Sequence, residues 1–203
     1  MSIMELSELQ EDAISELLNI GMGTAASALS QMVGEEVMLS VPSVTIVPRS
    51  EAAQAIGLDQ DDQVSAVREH FTGSFWGDAM LLFPEDNSVE LVRALLKEEM
   101  TLEMFSEMEQ EALTEVGNII LNACLGSLAN IFGDELHYEM PEFAHGACGM
   151  ILAGDKGGGS VLILRMDFTL QKTNVGGFLT LMMDVDSVQA FIAQIEQFMQ
   201  EMA

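Results

Sequence analysis

Two Glu-x-x-Asn pairs, one in each half of the chain, are the residues whose types and spacing could do chemistry. The first pair is Glu16 and Asn19, and the second is Glu115 and Asn118. An ionised carboxylate accepts charge-assisted hydrogen bonds from a cation, whereas a carboxamide both donates and accepts hydrogen bonds. Each pair can therefore bind and orient polar groups, although it contains no nucleophile and no strong base.

The two pairs are related by one constant step along the chain. The differences 115−16 and 118−19 are both 99, and a proline follows each asparagine at the same distance, since 42−19 and 141−118 are both 23. These prolines are Pro42 and Pro141. An acidic residue also precedes each glutamate by four positions, Asp12 in the first half and Glu111 in the second. The whole motif is thus repeated.

The same step relates residues well outside the motif. Further matching positions in the two halves are Gly34 and Gly133, Leu29 and Leu128, and Ser88 and Ser187. Self-similarity at a fixed period indicates repeated structural units. We therefore predict an internal duplication, with repeats at about 1–100 and 101–203, inside a single domain that spans 1–203. The junction at 98–101 contains no Pro or Gly, which argues against a flexible linker.

Hydrophobic periodicity predicts a helix, several strands and a second helix in each half. In the first half these are a helix over 7–33 capped by Ser7, a strand over 37–47 broken by Pro42, a hairpin over 64–83, and a helix capped by Asn87 or Ser88 that ends at about 97. In the second half they are a helix over 104–132, strands over 136–143, 160–168 and 177–183, and a helix over 187–199. We expect a pseudo-twofold α+β fold with two long, exposed helices and a mostly antiparallel sheet of about six strands.

Each Glu and Asn is expected on the exposed face of its long helix. At about 100° per residue, the motif positions of one helix fall within an arc of about 60°. We call these arcs the first ridge (Asp12, Glu16, Asn19, Gly23) and the second ridge (Glu111, Glu115, Asn118, Asn122). A solvated polar face is the alternative interpretation. Retention of Glu and Asn in both halves favours a function, because Asn is a mediocre helix former and is not explained by stability.

The charge of the chain is its most unusual bulk property. Seven Lys and Arg stand against 33 Asp and Glu, which gives a formal net charge of −26. This balance argues against nucleic acid binding, which needs a basic surface. A strongly acidic surface attracts basic partners, and adaptation to high salt is the alternative explanation.

The cysteines and the hydropathy pattern indicate a cytoplasmic protein. Cys124 and Cys148 have neither metal-binding nor disulfide spacing, which is typical of a reduced compartment. The N-terminal residues lack a signal-peptide pattern, and we see no apolar run of about 18 to 20 residues that would span a membrane. We expect no membrane association and a monomer.

Conventional catalytic sets are missing from the sequence. It contains no Gly-x-x-x-x-Gly-Lys-Ser/Thr phosphate loop. His137, Glu142 and His145 are not spaced as a metal site, and we expect none. Cys124 lies on the apolar side of its helix, which favours packing over nucleophilic chemistry. The two ridges are therefore the strongest candidates for a site.

At these residues the chain resembles a known family. The pattern Asp/Ser-x-x-x-Glu-x-x-Asn, followed by Pro after 23 residues, is the phosphatase signature of the CheC, CheX and FliY proteins of bacterial and archaeal chemotaxis. The flanking segments 18–26 and 115–119 also look like that family, and two copies in about 200 residues resemble the CheC type. Glu111 departs from the signature, since Asp or Ser is usual there.

The resemblance implies an aspartyl-phosphate phosphatase that acts on a phosphorylated CheY-type response regulator. Asn19 and Asn118 would insert into the receiver site and orient the attacking water. Glu16 and Glu115 would anchor to the receiver's lysine through a charge-assisted bond. The family uses no cofactor of its own, because the Mg²⁺ is held by the response regulator.

The resemblance also implies partners. Besides the phosphorylated CheY-like response regulator, a CheD-like deamidase is implied, through the C-terminal helix at about 187–199. The alternative function is a non-catalytic module of the same fold that binds a receiver or CheD, as an adaptor of the flagellar-switch type.

Overall fold

The computed structural model describes residues 6–96, 102–153, 159–170 and 173–202. The helices are α1 (Glu8–Val33), α2 (Ala52–Ala55), α3 (Glu85–Leu96), α4 (Leu102–Phe132), α5 (Cys148–Ala153) and α6 (Val185–Met202). The strands are β1 (Val37–Pro48), β2 (Gln63–Thr72), β3 (Gly77–Pro84), β4 (His137–Tyr138), β5 (Glu142–Ala147), β6 (Ser160–Leu170) and β7 (Thr173–Met183).

The strands form one antiparallel sheet of seven strands. Their order is β1-β6-β7-β3-β2-β4, and β5 also pairs with β2. β1 lies at an edge of the sheet, which suits a strand that contains Pro42. The predicted α+β class is confirmed. The sheet has one strand more than expected because the predicted strand over 136–143 is divided into β4 and β5 at Pro141, which cannot donate a ladder hydrogen bond.

The main core lies between the longer helices and one face of the sheet. α1, α3, α4 and α6 each bury an apolar side there, through Leu17, Leu91, Val116 and Phe191 among others. The opposite face of the sheet is covered in part by α2 and α5, around a smaller core. The long helices α1 and α4 therefore each have one buried side and one side that faces solvent, and they also pack against each other.

The predicted ends of the long helices are confirmed. Ser7 caps α1 and forms a capping box with Gln10, and Gly34 ends the helix with a φ of 74°. Gly133 follows α4 with a φ of 63°, the same left-handed conformation.

Other predicted boundaries differ from the structure. α3 begins at Glu85, so Asn87 and Ser88 lie inside the helix, and their side chains contact Gly176 and Glu109. β3 begins at Gly77, and α5 occupies a segment with no predicted element. The predicted junction at 98–101 lies outside the described residues, as does the glycine-rich segment 154–158.

Corresponding elements recur in the same order in the two halves. The starts of α1 and α4, β2 and β6, β3 and β7, and α3 and α6 are separated by 94, 97, 96 and 100 residues (102−8, 160−63, 173−77, 185−85). These separations are close to the step of 99 in the sequence. The order accords with an internal duplication, which remains an interpretation of the sequence.

One segment of α4, Met108–Phe132, is long and apolar enough to cross a membrane by length and composition, with a mean hydropathy of 1.3. It is an exception to the expectation that no such run occurs. Its apolar side chains, including Leu113, Leu121 and Leu125, lie in the main core. Packing inside the fold therefore accounts for part of the apolar composition of this segment, of which 44% is buried.

Candidate functional site

The first ridge lies on the solvent side of α1, as predicted. Asp12, Glu16 and Asn19 are all exposed. The other side of the helix is fully buried through Ile14 and Leu17. The buried side of α1 thus packs on the main core, and the first ridge on the opposite side is open to solvent.

The Asn19 side chain is held by the neighbouring strand. Its Oδ1 accepts a hydrogen bond from the backbone N–H of Val41 at 3.0 Å. Because a backbone N–H can only donate, this contact fixes which end of the carboxamide faces the strand. The amino group of Asn19 is left on the outer side, as the hydrogen-bonding end available to a partner. One such bond contributes about 1 kcal/mol, enough to favour this orientation several-fold.

A bulge in β1 at Val41 and Pro42 explains why the N–H of Val41 is available. Strand pairing between β1 and β6 shifts between Ser40 and Ser43, so that Val41 and Pro42 together stand opposite Met166. This two-against-one arrangement is a β-bulge, and a proline is tolerated there because the ladder is already interrupted. The repeated proline of the motif therefore lies at the bulge, next to the residue that holds Asn19.

Two glycines set how closely the long helices approach their neighbours. A Cβ added at Gly21 would lie 2.9 Å from the Cα of Cys124, so α1 and α4 meet there backbone to backbone. A Cβ added at Gly117 would lie 2.5 Å from the Cβ of Val67, so α4 rests on β2 next to Asn118. These contacts fix the positions of both ridges. A close approach thus occurs at Gly21, whereas a Cβ at Gly23 would meet nothing within 4 Å.

The second ridge differs from the first in its contacts. Glu111 and Glu115 are exposed, and Asn118 is half-buried. The Oδ1 of Asn118 accepts a hydrogen bond from the side-chain nitrogen of Asn122 at 2.7 Å. Both candidate asparagines thus have their oxygen occupied, the first by a strand and the second by its own helix.

Pro141 does not repeat the role of Pro42. It lies in the gap between β4 and β5, and Met140, the counterpart of Val41 (41+99), is 86% exposed. Among the described residues, no hydrogen bond joins Asn118 to the segment 139–141. The predicted equivalence of the two sites therefore holds for the exposed glutamates and not for the groups that orient the asparagines.

The two residues that hold these asparagines were not predicted from the sequence. Val41 was not singled out, although its place beside the repeated proline was an available signal. Asn122 was placed on the second ridge only as the counterpart of Gly23.

A polar cluster that includes two buried serines joins α3, α4, β2 and β5. Ser65 Oγ donates to Glu109 Oε1 at 3.2 Å and contacts His145 Nδ1 at 3.1 Å, while Ser88 Oγ donates to the same Glu109 oxygen at 2.8 Å. Ser65 and Ser88 are fully buried, so a substrate has no access to their hydroxyl groups. The cluster links secondary structure elements.

Glu142 and the two cysteines are paired or buried. Glu142 pairs with Arg68 at 3.1 Å, and within the described residues no group of three or more His, Cys, Asp and Glu side chains could hold a metal ion. Burial raises the pKa of the Cys124 thiol to about 12, and burial together with the Asp62 charge raises that of Cys148 to about 11. Both thiols are therefore protonated at neutral pH and unreactive.

A cavity of about 510 Å³ lies away from both ridges. Arg68, His70 and Trp76 line it. Arg68 and His70 alternate along β2 with Val67 and Phe71 of the main core, so the cavity lies on the other face of the sheet. None of the predicted site residues lines it. The candidate site is therefore a pair of helix faces outside this cavity, which suits contact with another protein better than capture of a small molecule.

Comparison with known proteins gives related sequences. A model of the CheC-like family matches residues 9–46, which include Asp12, Glu16, Asn19 and Pro42. The flagellar motor switch phosphatase FliY of Bacillus subtilis is 25% identical over 139 residues, which cover 68% of this chain and 36% of FliY. The CheY-P phosphatase CheC of the same organism is 27% identical over 157 residues, or 75% of each protein. The chain thus spans about a third of that FliY.

Solved structures share the fold. FliY of Thermotoga maritima matches with a TM-score of 0.75 at 18% identity, over 96% of this chain and 100% of that one. The FliM middle domain of H. pylori gives 0.63 at 11% identity, over 93% and 99%. CheX in a CheX–CheY–BeF3–Mg complex of Borrelia burgdorferi gives 0.50 at 20% identity, over 81% and 96%. Sequence and fold together confirm the resemblance of this chain to the CheC-like family.

Proposed function

We propose that the chain removes the phosphoryl group from the aspartate of a phosphorylated CheY-type response regulator in the cytoplasm. The observation that carries the proposal is the exposed Asn19, whose oxygen is held by Val41 while its amino group faces outward. The similarity to proteins named CheY-P phosphatase supports a role of this kind for the family. The two open ridges offer the surface that such a protein substrate needs.

The reaction depends more on the position of the attacking water than on a nucleophile or base from the protein. A water oxygen forms a bond to phosphorus, the bond from phosphorus to the aspartate oxygen breaks, and the products are the free carboxylate and inorganic phosphate. Since the transition state of phosphoryl transfer is loose, in-line placement of the water contributes most. The Mg²⁺ that neutralises the phosphoryl oxygens belongs to the receiver, and the chain contributes no cofactor.

We assign the outward amino group of Asn19 to the water. An N–H donor that binds one lone pair of the water oxygen leaves the other lone pair free to attack phosphorus. Because the Asn19 oxygen is already bound to the strand, the amide is pre-oriented before the receiver docks, and less ordering is needed at that moment. Asn118 would act in the same way at the second ridge.

Glu16 and Glu115 are assigned to binding. Each is exposed and lies one helical turn before its asparagine, on the same side of the helix. A carboxylate in that place can accept a charge-assisted hydrogen bond from a lysine of the receiver. Asp12 and Glu111, one turn further, add negative charge to the same contact.

The test is phosphate release from a phosphorylated receiver with the wild-type chain and with Asn19→Ala plus Asn118→Ala. We expect the double variant to lose on the order of 100-fold in rate, the scale of a misplaced reacting group. Asn130→Ala is the matched control, since Asn130 is an exposed asparagine of α4 outside both ridges. A double variant as fast as wild type would show that the asparagines are not catalytic.

A second candidate is a non-catalytic module that binds a receiver or a CheD-like deamidase. The fold is also that of a FliM middle domain, and a fold alone does not distinguish a phosphatase from a binding module. The binding module therefore remains the second candidate. α6, the helix implied to bind CheD, buries Val188 and Phe191 in the main core, so a partner would meet its polar side. Binding of the phosphorylated receiver with an unchanged decay rate would favour this candidate over the phosphatase.

A further inference from the structure

The side chain of Asn122 makes two hydrogen bonds to one residue of its own helix. Its Nδ2 donates to the backbone carbonyl of Asn118 at 2.8 Å and to the side-chain Oδ1 of Asn118 at 2.7 Å. Polar side chains in helices commonly bond to the carbonyl four residues earlier, as Thr24 and Thr114 do in this chain. The second bond, to the side chain of a candidate catalytic residue, is not part of that common pattern.

The first ridge has a glycine in the place of Asn122. The counterpart of Asn122 is Gly23 (122−99), and a side chain there would meet open space. Asn19 does not need a helix partner, because the N–H of Val41 already binds its oxygen. Each ridge thus has one donor for its asparagine oxygen, although the donor comes from a different element.

Among the described residues, no strand supplies this donor at the second ridge. β4 and β5 are interrupted at 139–141, and Met140, the sequence counterpart of Val41, is exposed. Without Asn122, the carboxamide of Asn118 would be free to rotate, and either end could face the partner. An amide that must find its orientation during docking loses rotational freedom that a held amide has already lost.

We propose that Asn122 is the positioning residue of the second site, where it does for Asn118 what the Val41 backbone does for Asn19. This inference rests on the proposed phosphatase function. Asn122 holds the oxygen of Asn118 and so turns the amino group outward, toward the water. The bond to the oxygen also polarises the amide, which strengthens its amino group as a donor.

The test isolates the second site by measuring dephosphorylation of a phosphorylated receiver in an Asn19→Ala background. In that background Asn122→Asp, which replaces the donor by a carboxylate of the same shape, is expected to lower kcat about tenfold or more and to change KM by less than about twofold. Asn122→Gln keeps an amino group on a longer side chain and is expected to recover part of kcat. Asn130→Ala, an exposed substitution in the same helix, serves as the control.

A structural role is separated by repeating the Asn122→Asp substitution in an Asn118→Ala background, where only the first site works. A loss of equal size there would mean that α4 is damaged, and it would overturn the positioning role. Unchanged kcat for Asn122→Asp in the Asn19→Ala background would overturn it as well. The proposed function fails differently, through an Asn19→Ala, Asn118→Ala double variant that is as active as wild type.

A measurement without activity tests the contact itself. In the NMR spectrum of the whole chain, the side-chain amide protons of Asn122 are expected to shift when Asn118 is replaced by Ala, because one of two hydrogen bonds is lost. The amide protons of Asn130 serve as the reference. Asn122 signals that stay in place would show that the bond to Asn118 does not form in solution, and the inference would be wrong.

Discussion

The orientation of one carboxamide decides whether each site offers a partner a hydrogen-bond donor or an acceptor. An asparagine free in solvent offers a donor and an acceptor equally, whereas Asn19 and Asn118 both have their oxygen bound. Both sites therefore present a donor to a partner. Two unrelated donors, a backbone N–H at a bulge and a side chain one turn along the helix, reach the same result, which supports a requirement for this orientation.

Glu69 is the least expected residue in the structure. It lies on β2 between Val67 and Phe71 of the main core and is 2% exposed. In the described part of the chain its Oε2 has no hydrogen-bond partner. Burial raises the pKa of this carboxyl from 4.5 to about 7, because removal from water penalises the ionised form. Glu69 therefore links the stability of the core to pH.

The direction of this pH dependence follows from the different pKa of Glu69 in the folded and the unfolded chain. Below about 4.5 the carboxyl is protonated in the folded and unfolded chains alike, and its stabilising effect is fully present. As pH rises toward 7, the unfolded chain ionises first, so the contribution of Glu69 to the free energy of unfolding falls. Above about 7 both forms are ionised, and this loss is complete.

We predict that Glu69→Gln raises the free energy of unfolding at pH 8 and that the gain shrinks at pH 5. The expected gain at pH 8 is about 1–3 kcal/mol, the scale of a buried polar group without a partner. Urea unfolding at both pH values measures it. Glu90→Gln, on the exposed side of α3, controls for the change in net charge. Equal gains from the two variants at pH 8 would contradict a buried, ionised Glu69.

At the scale of elements, the contact between α1 and α4 depends on the absence of one side chain. A Cβ at Gly21 would lie 2.9 Å from the Cα of Cys124 and 3.0 Å from the carbonyl oxygen of Ala123, and both of these are backbone atoms that cannot rotate away. The helices would have to separate, and the two ridges would move with them.

We predict opposite effects of the same substitution at two positions of α1. Gly21→Ala is expected to lower the free energy of unfolding by about 1–3 kcal/mol through overpacking. Gly23→Ala is expected to raise it by about 0.5–1 kcal/mol, because alanine is the better helix former and nothing lies within 4 Å of its Cβ. Urea unfolding of both variants measures the difference. Equal effects would mean that the close approach at Gly21 is absent.

Elements with local signals were predictable from the sequence. The capping box at Ser7, the glycine after each long helix and the helical period of the ridge residues all lie within a few positions of the feature they specify. The cap of α3 was not predictable. Ser88 looked like a local cap, and its hydroxyl binds Glu109 instead, 21 residues away.

The candidate site was predictable as a set of residues and not as a set of contacts. The repeated motif identified Glu16 and Asn19, because both types recur at a fixed step. The bond from Val41 to Asn19 joins residues 22 apart and depends on a bulge in β1, which no periodicity indicates. Glu69 was missed for a related reason, since a glutamate in a strand is expected to face solvent.

At the scale of the whole molecule, charge is the dominant property. With 33 acidic residues and seven Lys and Arg, one-to-one pairing leaves at least 26 acidic groups without a basic partner (33−7). A chain of this length has a radius of gyration of about 17 Å, so these groups repel one another across the whole body at low salt. The folded chain therefore carries an electrostatic cost that added salt reduces.

We predict that the melting temperature rises with NaCl and that most of the rise is complete by about 0.15 M, where the Debye length has fallen from about 30 Å at 0.01 M to about 8 Å. Calorimetry over a salt series measures this, with sucrose as an uncharged control. If the acidity instead reflects adaptation to high salt, the melting temperature will continue to rise steeply into the molar range. Partner steering is separated by the association rate with the receiver, which should fall over the same salt range if the acidic surface attracts a basic one. A rate that does not depend on salt would exclude steering and leave the acidity without a part in recognition.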